Sequence, residues 1–465
     1  MTRQTVCYIV TWFAVNPGSS LIAQTPAPSA PVIQPFQPFS GAVIPQPGVG
    51  MQTGAKSGAE LIFDQQGRLA GTMHGADRPV PPPAGDMRYS TYQTAYDALR
   101  KELSTSSPVG ATSGYHGKYR FADLSRTATA SDQQRYRDAA ELLDGMLTGK
   151  VPIDLIKAVA AMEKPALKDA MSEEEYRRVI DRLCDVVRTS MWERGWDLED
   201  PIQVHRGLQL LYQDTITDPQ TERLIPPMRY DFNDFYGDVD MGNVTVGKLL
   251  KTGEGQCRSL PLLYLLMADR MRAEAWWAFS PNHSYVKFRD PQGTFWNFEC
   301  TNGALASDQF IAQSGYVTRE AIANRMYLDT VGNRSIVAHL LAELAMDYEQ
   351  QFGYDEPFME HCLLRALEFY PNDMGAWLEL SNLRTAYLDR KAQEAGAPPF
   401  KDFGKFPELS ERLAALRALY KRVDDLGYRE MPADAYETWI RSVEAEKEKR
   451  AAEKKPLIQV ASPKR

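Results

Sequence analysis

Residues 253–303 constrain the fold more than any other stretch. They run as a glycine-bearing loop, a cysteine, an apolar segment, a strand, a strand opened by histidine, a tight turn and a strand ending in an acid. Leu260, Leu262, Leu263, Leu265, Leu266 and Met267 are apolar nearly all round, which requires a buried helix. Pro261 fits that helix only in its first turn, where backbone N–H groups have no intrahelical partner. Regular helix therefore begins near Ser259. Gly253 and Gly255 loosen the backbone just before Cys257, which stands at the helix start. A helix start carries partial positive charge and unpaired N–H donors. Such a place favours thiolate chemistry and offers N–H groups to a developing oxyanion.

The next segments supply a base. Ala275-Trp276-Trp277-Ala278-Phe279 reads as one strand, His283-Ser284-Tyr285-Val286-Lys287-Phe288 as a second, and residues 294–300 as a third. Asp290-Pro291-Gln292-Gly293 joins the last two. Proline at its second position and glycine at its fourth favour a type I turn with a left-handed Gly293, which makes a bulge. The bulge decides the register. A plain turn would pair 290 with 293 and send His283 and Glu299 to opposite faces. The bulge shifts the pairing by one. Tyr285 then lies opposite Glu299, His283 sits one diagonal step away on the same face, and Asn297 lies opposite Lys287. Glu299 is thus the expected orienter of the imidazole.

Cysteine, histidine and carboxylate in this arrangement form a nucleophile, a base and an orienter. Gly-Gln-Cys257-Arg-Ser-Leu, then His283 opening a strand, then Phe295-Trp-Asn-Phe-Glu299-Cys-Thr301, resembles the transglutaminase-like superfamily over roughly residues 240–310. The resemblance implies a papain-like α+β core, with the cysteine-bearing helix packed on a small antiparallel sheet, and a catalytic triad of Cys257, His283 and Glu299. Glu299 stands where that family usually has Asp, and Cys300 where it usually has Pro. Gln256, Trp276, Trp277 and Asn297 are candidate neighbours of the oxyanion or substrate, the two tryptophans along an acyl or amine path.

Composition narrows the class. Among 465 residues, 43% are hydrophobic and 25% charged, as in an ordinary globular protein. The formal net charge of −8 gives no global field for nucleic acid or an anionic membrane. No apolar run reaches the ~18 residues a spanning helix needs. Arg3, the short apolar run at 6–15, its break at Asn16-Pro17-Gly18 and the exit Leu21-Ile22-Ala23-Gln24 read as a signal peptide over 1–24. The expected location is therefore periplasmic or extracellular. Cys7 would leave with the signal. Cys184, Cys257, Cys300 and Cys362 remain, enough for up to two disulfides. They are scattered without a Cys-x-x-Cys motif, so neither metal nor cofactor is expected. Cys184 and Cys362 fall on apolar helix faces. Cys300 points to the face of its strand opposite Glu299, away from Cys257.

The flanks read as helical. Residues 25–87 form a proline-rich linker, with Phe36 and Phe39 dispersed in it and a small hairpin suggested at 61–69. Residues 88–225 form a helical region. Tyr92, Tyr96, Leu99 and Leu103 mark one helix face. Ser172 followed by Glu173, Glu174 and Glu175 marks a helix start, and Tyr176, Val179, Ile180, Leu183 and Val187 its apolar face. His116 and His205 lie in no ligand cluster. The core spans 226–335. Its acidic approach, Asp231 to Asp240, lacks calcium-loop spacing because Phe235 fills a ligand position and Gly237 falls one residue late. In 336–396, Arg365-Ala-Leu-Glu-Phe-Tyr-Pro371-Asn372 resembles the second half of a tetratricopeptide repeat, and the ~34-residue period holds from Leu344 to Leu378. Residues 397–465 hold further helices and a charged tail.

Two functions fit. The first is an exported thiol enzyme acting on amide or peptide carbonyls of a protein or peptide substrate through a thioacyl intermediate, by hydrolysis or acyl transfer. The second is a catalytically inactive transglutaminase-like scaffold that binds peptide or protein partners through its core and its helical C-terminal half.

Overall fold

A computed structural model describes residues 60–63, 69–73, 131–167, 170–232, 241–352, 355–396, 398 and 400–429, with isolated positions at 441, 445, 447 and 448. The expected signal peptide, the expected helix face of Tyr92 to Leu103, His116, residues 233–240 and most of the expected charged tail lie outside the described residues. So does the 25–87 linker, except for the expected hairpin, which is present as antiparallel strands β1 (Glu60–Phe63) and β2 (Leu69–Met73).

The architecture is α+β, mostly helical with small sheets. Helices α1 (Ser131–Leu147), α2 (Leu155–Glu163), α3 (Glu173–Glu193) and α4 (Pro201–Gln213) precede the main sheet. α3 starts as its sequence demands. The Ser172 hydroxyl accepts from the Glu175 N–H, and the Glu175 carboxylate accepts from the Ser172 N–H. This capping box satisfies two donors that the helix itself leaves unpaired. Tyr176, Ile180, Leu183 and Val187 are buried on the predicted face.

Two small pairs lead to the site. β3 (Ile216–Thr217) pairs with β4 (Leu224–Ile225), and β5 (Arg229–Tyr230) runs parallel to β6 (Glu254–Gly255). Between β5 and β6 lies α5 (Val246–Thr252). α6 (Ser259–Arg270) follows, beginning at the residue the proline argument indicated, and Leu260, Leu262, Leu263, Leu265 and Leu266 are all buried. Each such leucine contributes roughly 1.5–3 kcal/mol of apolar burial.

The main sheet is antiparallel. β7 (Ala275–Ser280), β8 (His283–Arg289), β9 (Phe295–Glu299) and β10 (Ala304–Ala306) lie side by side in the order β10-β9-β8-β7. The β8–β9 register is the shifted one: Val286 pairs with Phe298 and Lys287 with Asn297. Its cause is visible at the turn, where Gly293 has φ 87° and its N–H donates to the Asp290 carbonyl at 2.9 Å. Trp277, Val286 and Phe298 join one extended apolar cluster with the α6 leucines. Tyr285 and Ala278 face the other way, under Ile311 of α7 (Asp308–Ser314).

After α8 (Arg319–Ala323), the chain forms α9 (Asn333–Phe352), α10 (Glu356–Phe369), α11 (Met374–Glu394) and α12 (Pro407–Asp425). The extended cluster takes in Tyr136 and Val187 from the early helices and Leu340, Leu363 and Leu380 from the late ones. The helices on both sides of the sheet therefore share its core, which anchors the site from both ends of the chain. Among the described residues, no helix is long and apolar enough to cross a membrane.

Candidate active site

Cys257 sits between β6 and α6, half-buried. Two local features hold it there. Gly255 passes so close to the helix start that an added Cβ would lie 2.6 Å from Ser259 Oγ. That hydroxyl accepts from the Gln256 N–H at 2.9 Å. Only a glycine leaves room for this approach.

His283 is the first residue of β8, paired with Ser280 across a two-residue turn of Pro281 and Asn282. Asn282 adopts φ 57°, a left-handed conformation that asparagine tolerates better than most residues. The turn places the imidazole at the end of the sheet nearest the start of α6. Its Nε2–H donates to Glu299 Oε2 at 2.7 Å. The ring is also hydrogen-bonded to the Cys257 side chain. With Nε2 committed to Glu299, that bond falls to Nδ1. Sulfur, imidazole and carboxylate thus form one hydrogen-bonded row.

The electrostatics favour a charged ring. Burial works against the imidazolium, but the Glu299 carboxylate and the hydrogen bonds to Cys257 and Glu299 outweigh it, and His283 is pushed up to about 10. Side-chain exposure is 13% for His283 and 3% for Glu299, whereas Cys257 is partly open. Cys257 and His283 are thus both partly open, with the Glu299 carboxylate enclosed behind the ring.

The other candidate neighbours divide. Gln256 adjoins Cys257 and is fully buried. Trp277 points into the core, on the face opposite His283, and its indole N–H donates to Ser284 Oγ at 2.8 Å. Trp276 shares the face of His283 but pairs with Lys287, four residues along the strand, or about 13 Å at 3.3 Å per residue. It packs instead on Phe295 and beneath the Arg289 guanidinium. Asn297 also pairs with Lys287, and its amide donates to Asp308 Oδ1 at 2.8 Å and the Ala306 carbonyl at 3.1 Å. The structure gathers Cys257, His283 and Glu299. Trp277 reaches them only through Ser284, whose hydroxyl bonds both the indole and the Cys257 carbonyl, while Trp276 and Asn297 lie further along their strands, each opposite Lys287.

Three further residues belong to the site. The Ser284 hydroxyl donates to the Cys257 carbonyl at 2.6 Å, joining the histidine strand to the cysteine loop. Its sequence signal was a lone polar residue on the apolar face of β8, beside Val286 and Phe288. Tyr230 pairs with Gly255, and burial, followed by the neighbouring Cys257 and Asp231, pushes its phenol well above its usual range. Arg258, next to Cys257, sends its side chain away from it into the helices. A charged residue at the head of an apolar helix was the signal there.

The remaining thiols are elsewhere. Cys184, Cys300 and Cys362 are buried, and with Cys257 all four are unbridged. Cys300, in the turn just after β9, lies in the apolar cluster. Among the described residues, no group of three or more His, Cys, Asp or Glu side chains is placed to hold a metal ion.

No family model matches the sequence, and no curated protein matches it. Among solved structures, the crystal structure of menin, described as revealing the binding site for Mixed Lineage Leukemia (MLL) protein, aligns at 12% identity and a TM-score of 0.30. The alignment covers 66% of this chain and 88% of that chain. A likeness at that score carries no argument about this protein.

Proposed function

We propose that this protein is a transglutaminase-like thiol enzyme acting on amide or peptide carbonyls, with a papain-like core formed by α6 and the sheet β7–β10. The observation that carries this reading is the hydrogen-bonded row Cys257–His283–Glu299, with the 2.7 Å contact at its far end. Glu299 is one methylene longer than the Asp usual in that superfamily, and it still reaches the ring.

The chemistry follows the row. The Cys257 sulfur attacks the carbonyl carbon, forming a C–S bond, while the charged His283 already holds the proton that the leaving amine will need. The backbone N–H of Cys257, near the uncapped start of α6, stabilises the oxyanion. The C–N bond then breaks as His283 gives the proton to the departing amine. Water or a second amine releases the thioacyl group, giving hydrolysis or acyl transfer. Glu299 keeps Nδ1 turned toward sulfur and stabilises the imidazolium.

The test is alkylation of Cys257 by iodoacetamide, measured across pH in the wild type and in His283→Ala. Rapid labelling near neutrality, slowed at least tenfold in His283→Ala, is expected. Sluggish labelling in both proteins would discard the enzyme reading. Glutamine side-chain amides and peptides are the substrates to screen next, with Cys257→Ala as the control.

A further inference from the structure

Arg258 makes a set of contacts that the row of three does not explain. It is the residue capping the start of α6, yet its side chain makes no cap hydrogen bond. Ser, Thr, Asp or Asn is preferred at such a position, and a cation there opposes the helix dipole. The guanidinium runs instead between two helices. Nε and Nη2 donate to the two oxygens of Glu343 in α9, each at 2.8 Å. Nη1 donates to Glu163 Oε1 at the end of α2, at 3.0 Å, and to the Val244 carbonyl at 3.2 Å.

The partners are tied down in turn. Glu163 accepts from the Val246 and Gly247 N–H groups at 2.8 and 3.1 Å, holding the first turn of α5, and also from the Tyr176 hydroxyl. Since α5 leads through β6 to Cys257, one carboxylate holds the segment that enters the nucleophile and the side chain of the residue that leaves it. Glu343 faces His339 Nε2 at 3.6 Å, and His339 Nδ1 is 2.8 Å from Asp373, the cap of α11. On the other side of Cys257, Ser284 Oγ holds its carbonyl. A bidentate guanidinium–carboxylate pair fixes direction in a way a single contact does not, and a buried pair of this kind adds little net stability.

We propose that Arg258 is a positioning residue for Cys257, its fork on Glu343 and its bond to Glu163 fixing the peptide after the nucleophile so that the sulfur stays in line with His283. The proposal rests on the reading of Cys257 and His283 as a reactive pair. Lysine keeps the charge of Arg258 but loses the fork. Glutamine at 343 keeps the shape but loses the charge.

The experiment uses the full-length protein as wild type, Arg258→Lys, Arg258→Ala, Glu343→Gln and His283→Ala. Second-order rates of iodoacetamide labelling at Cys257 are measured from pH 6 to 9, alongside thermal unfolding. Labelling of folded Arg258→Lys and Glu343→Gln is expected to slow about tenfold, with an altered pH profile. Adding methylguanidinium to Arg258→Ala should recover part of the rate. A purely structural role would lower the melting temperature and leave the rate and pH profile of the folded protein unchanged, which overturns the proposal. If neither Arg258→Lys nor Glu343→Gln folds, the pair is structural and the proposal also falls. Slow, His283-independent labelling in the wild type would instead overturn the enzyme reading itself, so the two failures are told apart.

Discussion

Replacing Glu299 with glutamine removes a charge and little else. In the native site His283 is pushed up to about 10, against burial, by Glu299 and by its bonds to Glu299 and Cys257. Against an ordinary histidine at ~6.5, the gap corresponds to roughly 5 kcal/mol of preference for the imidazolium, at about 1.36 kcal/mol per pH unit. Glu299 touches the ring at 2.7 Å and is itself enclosed, so most of that preference should vanish with its charge. The sign follows from the direction. A raised value means that the pair stabilises the fold fully below ~6.5 and that this contribution is lost as pH rises through about 10. Glu299→Gln should therefore cost roughly 2–4 kcal/mol in denaturant unfolding at pH 6 and much less near pH 10. Imidazole NMR should show a charged His283 at pH 8 in the wild type and a neutral one in Glu299→Gln. Alkylation of Cys257 should fall at least tenfold. A wild-type ring that titrates near 6.5, or a variant whose titration overlays it, would refute the reasoning.

Other outcomes follow from the same contacts. Ser284→Ala removes the hydroxyl that accepts from the buried Trp277 indole and donates to the Cys257 carbonyl; urea unfolding should show a loss of about 1–3 kcal/mol, and an unchanged midpoint would speak against that link. Gly255→Ala would bring a methyl to 2.6 Å from Ser259 Oγ and 3.1 Å from Leu249 Cδ1, so about 1–3 kcal/mol of destabilisation is expected, and a variant as stable as wild type would show that the loop has slack. At His339, burial opposes the charge but Asp373 and Glu343 outweigh it and raise the value. Its contribution is therefore full below ~6.5 and fades as pH rises through the raised value, so His339→Gln should cost more stability at pH 6 than at alkaline pH; equal costs would contradict the assignment. Burial pushes Cys184 up to about 12 and Cys300 well above its usual range. Mass spectrometry after brief native alkylation should thus find label on Cys257 and none on Cys184, Cys300 or Cys362 until the protein is unfolded.

Much of the site was legible because its signals are local. Pro261 dates the start of α6 to Ser259 by a hydrogen-bond argument that needs no partner. Asp290-Pro291-Gln292-Gly293 fixes a bulge, the bulge fixes a register, and the register puts His283 and Glu299 on one face. The capping box at Ser172 and the apolar face of α3 follow from spacing alone.

Other assignments depend on distance along an element and on which surface covers it. Composition and strand preference favour Trp276 and Trp277 as a pair, yet alternation sends one into the core and length carries the other about 13 Å from the histidine. Asn297 was within two residues of Glu299 and is held by Asp308 instead. Periodicity cannot report such distances, because it records the face of a residue and not its height along the strand.

The chain's local chemistry settled where its helices and strands begin, which strand faces are apolar, and which cysteine, histidine and acid belong together. Long-range folding settled the rest. Arg258 meets Glu163 and Glu343, partners 95 and 85 residues away, and Ser284 meets a carbonyl 27 residues earlier. These contacts exist only because α2, α9 and the sheet pack on one core. A buried charge must then find its partner in space, wherever in the chain that partner lies.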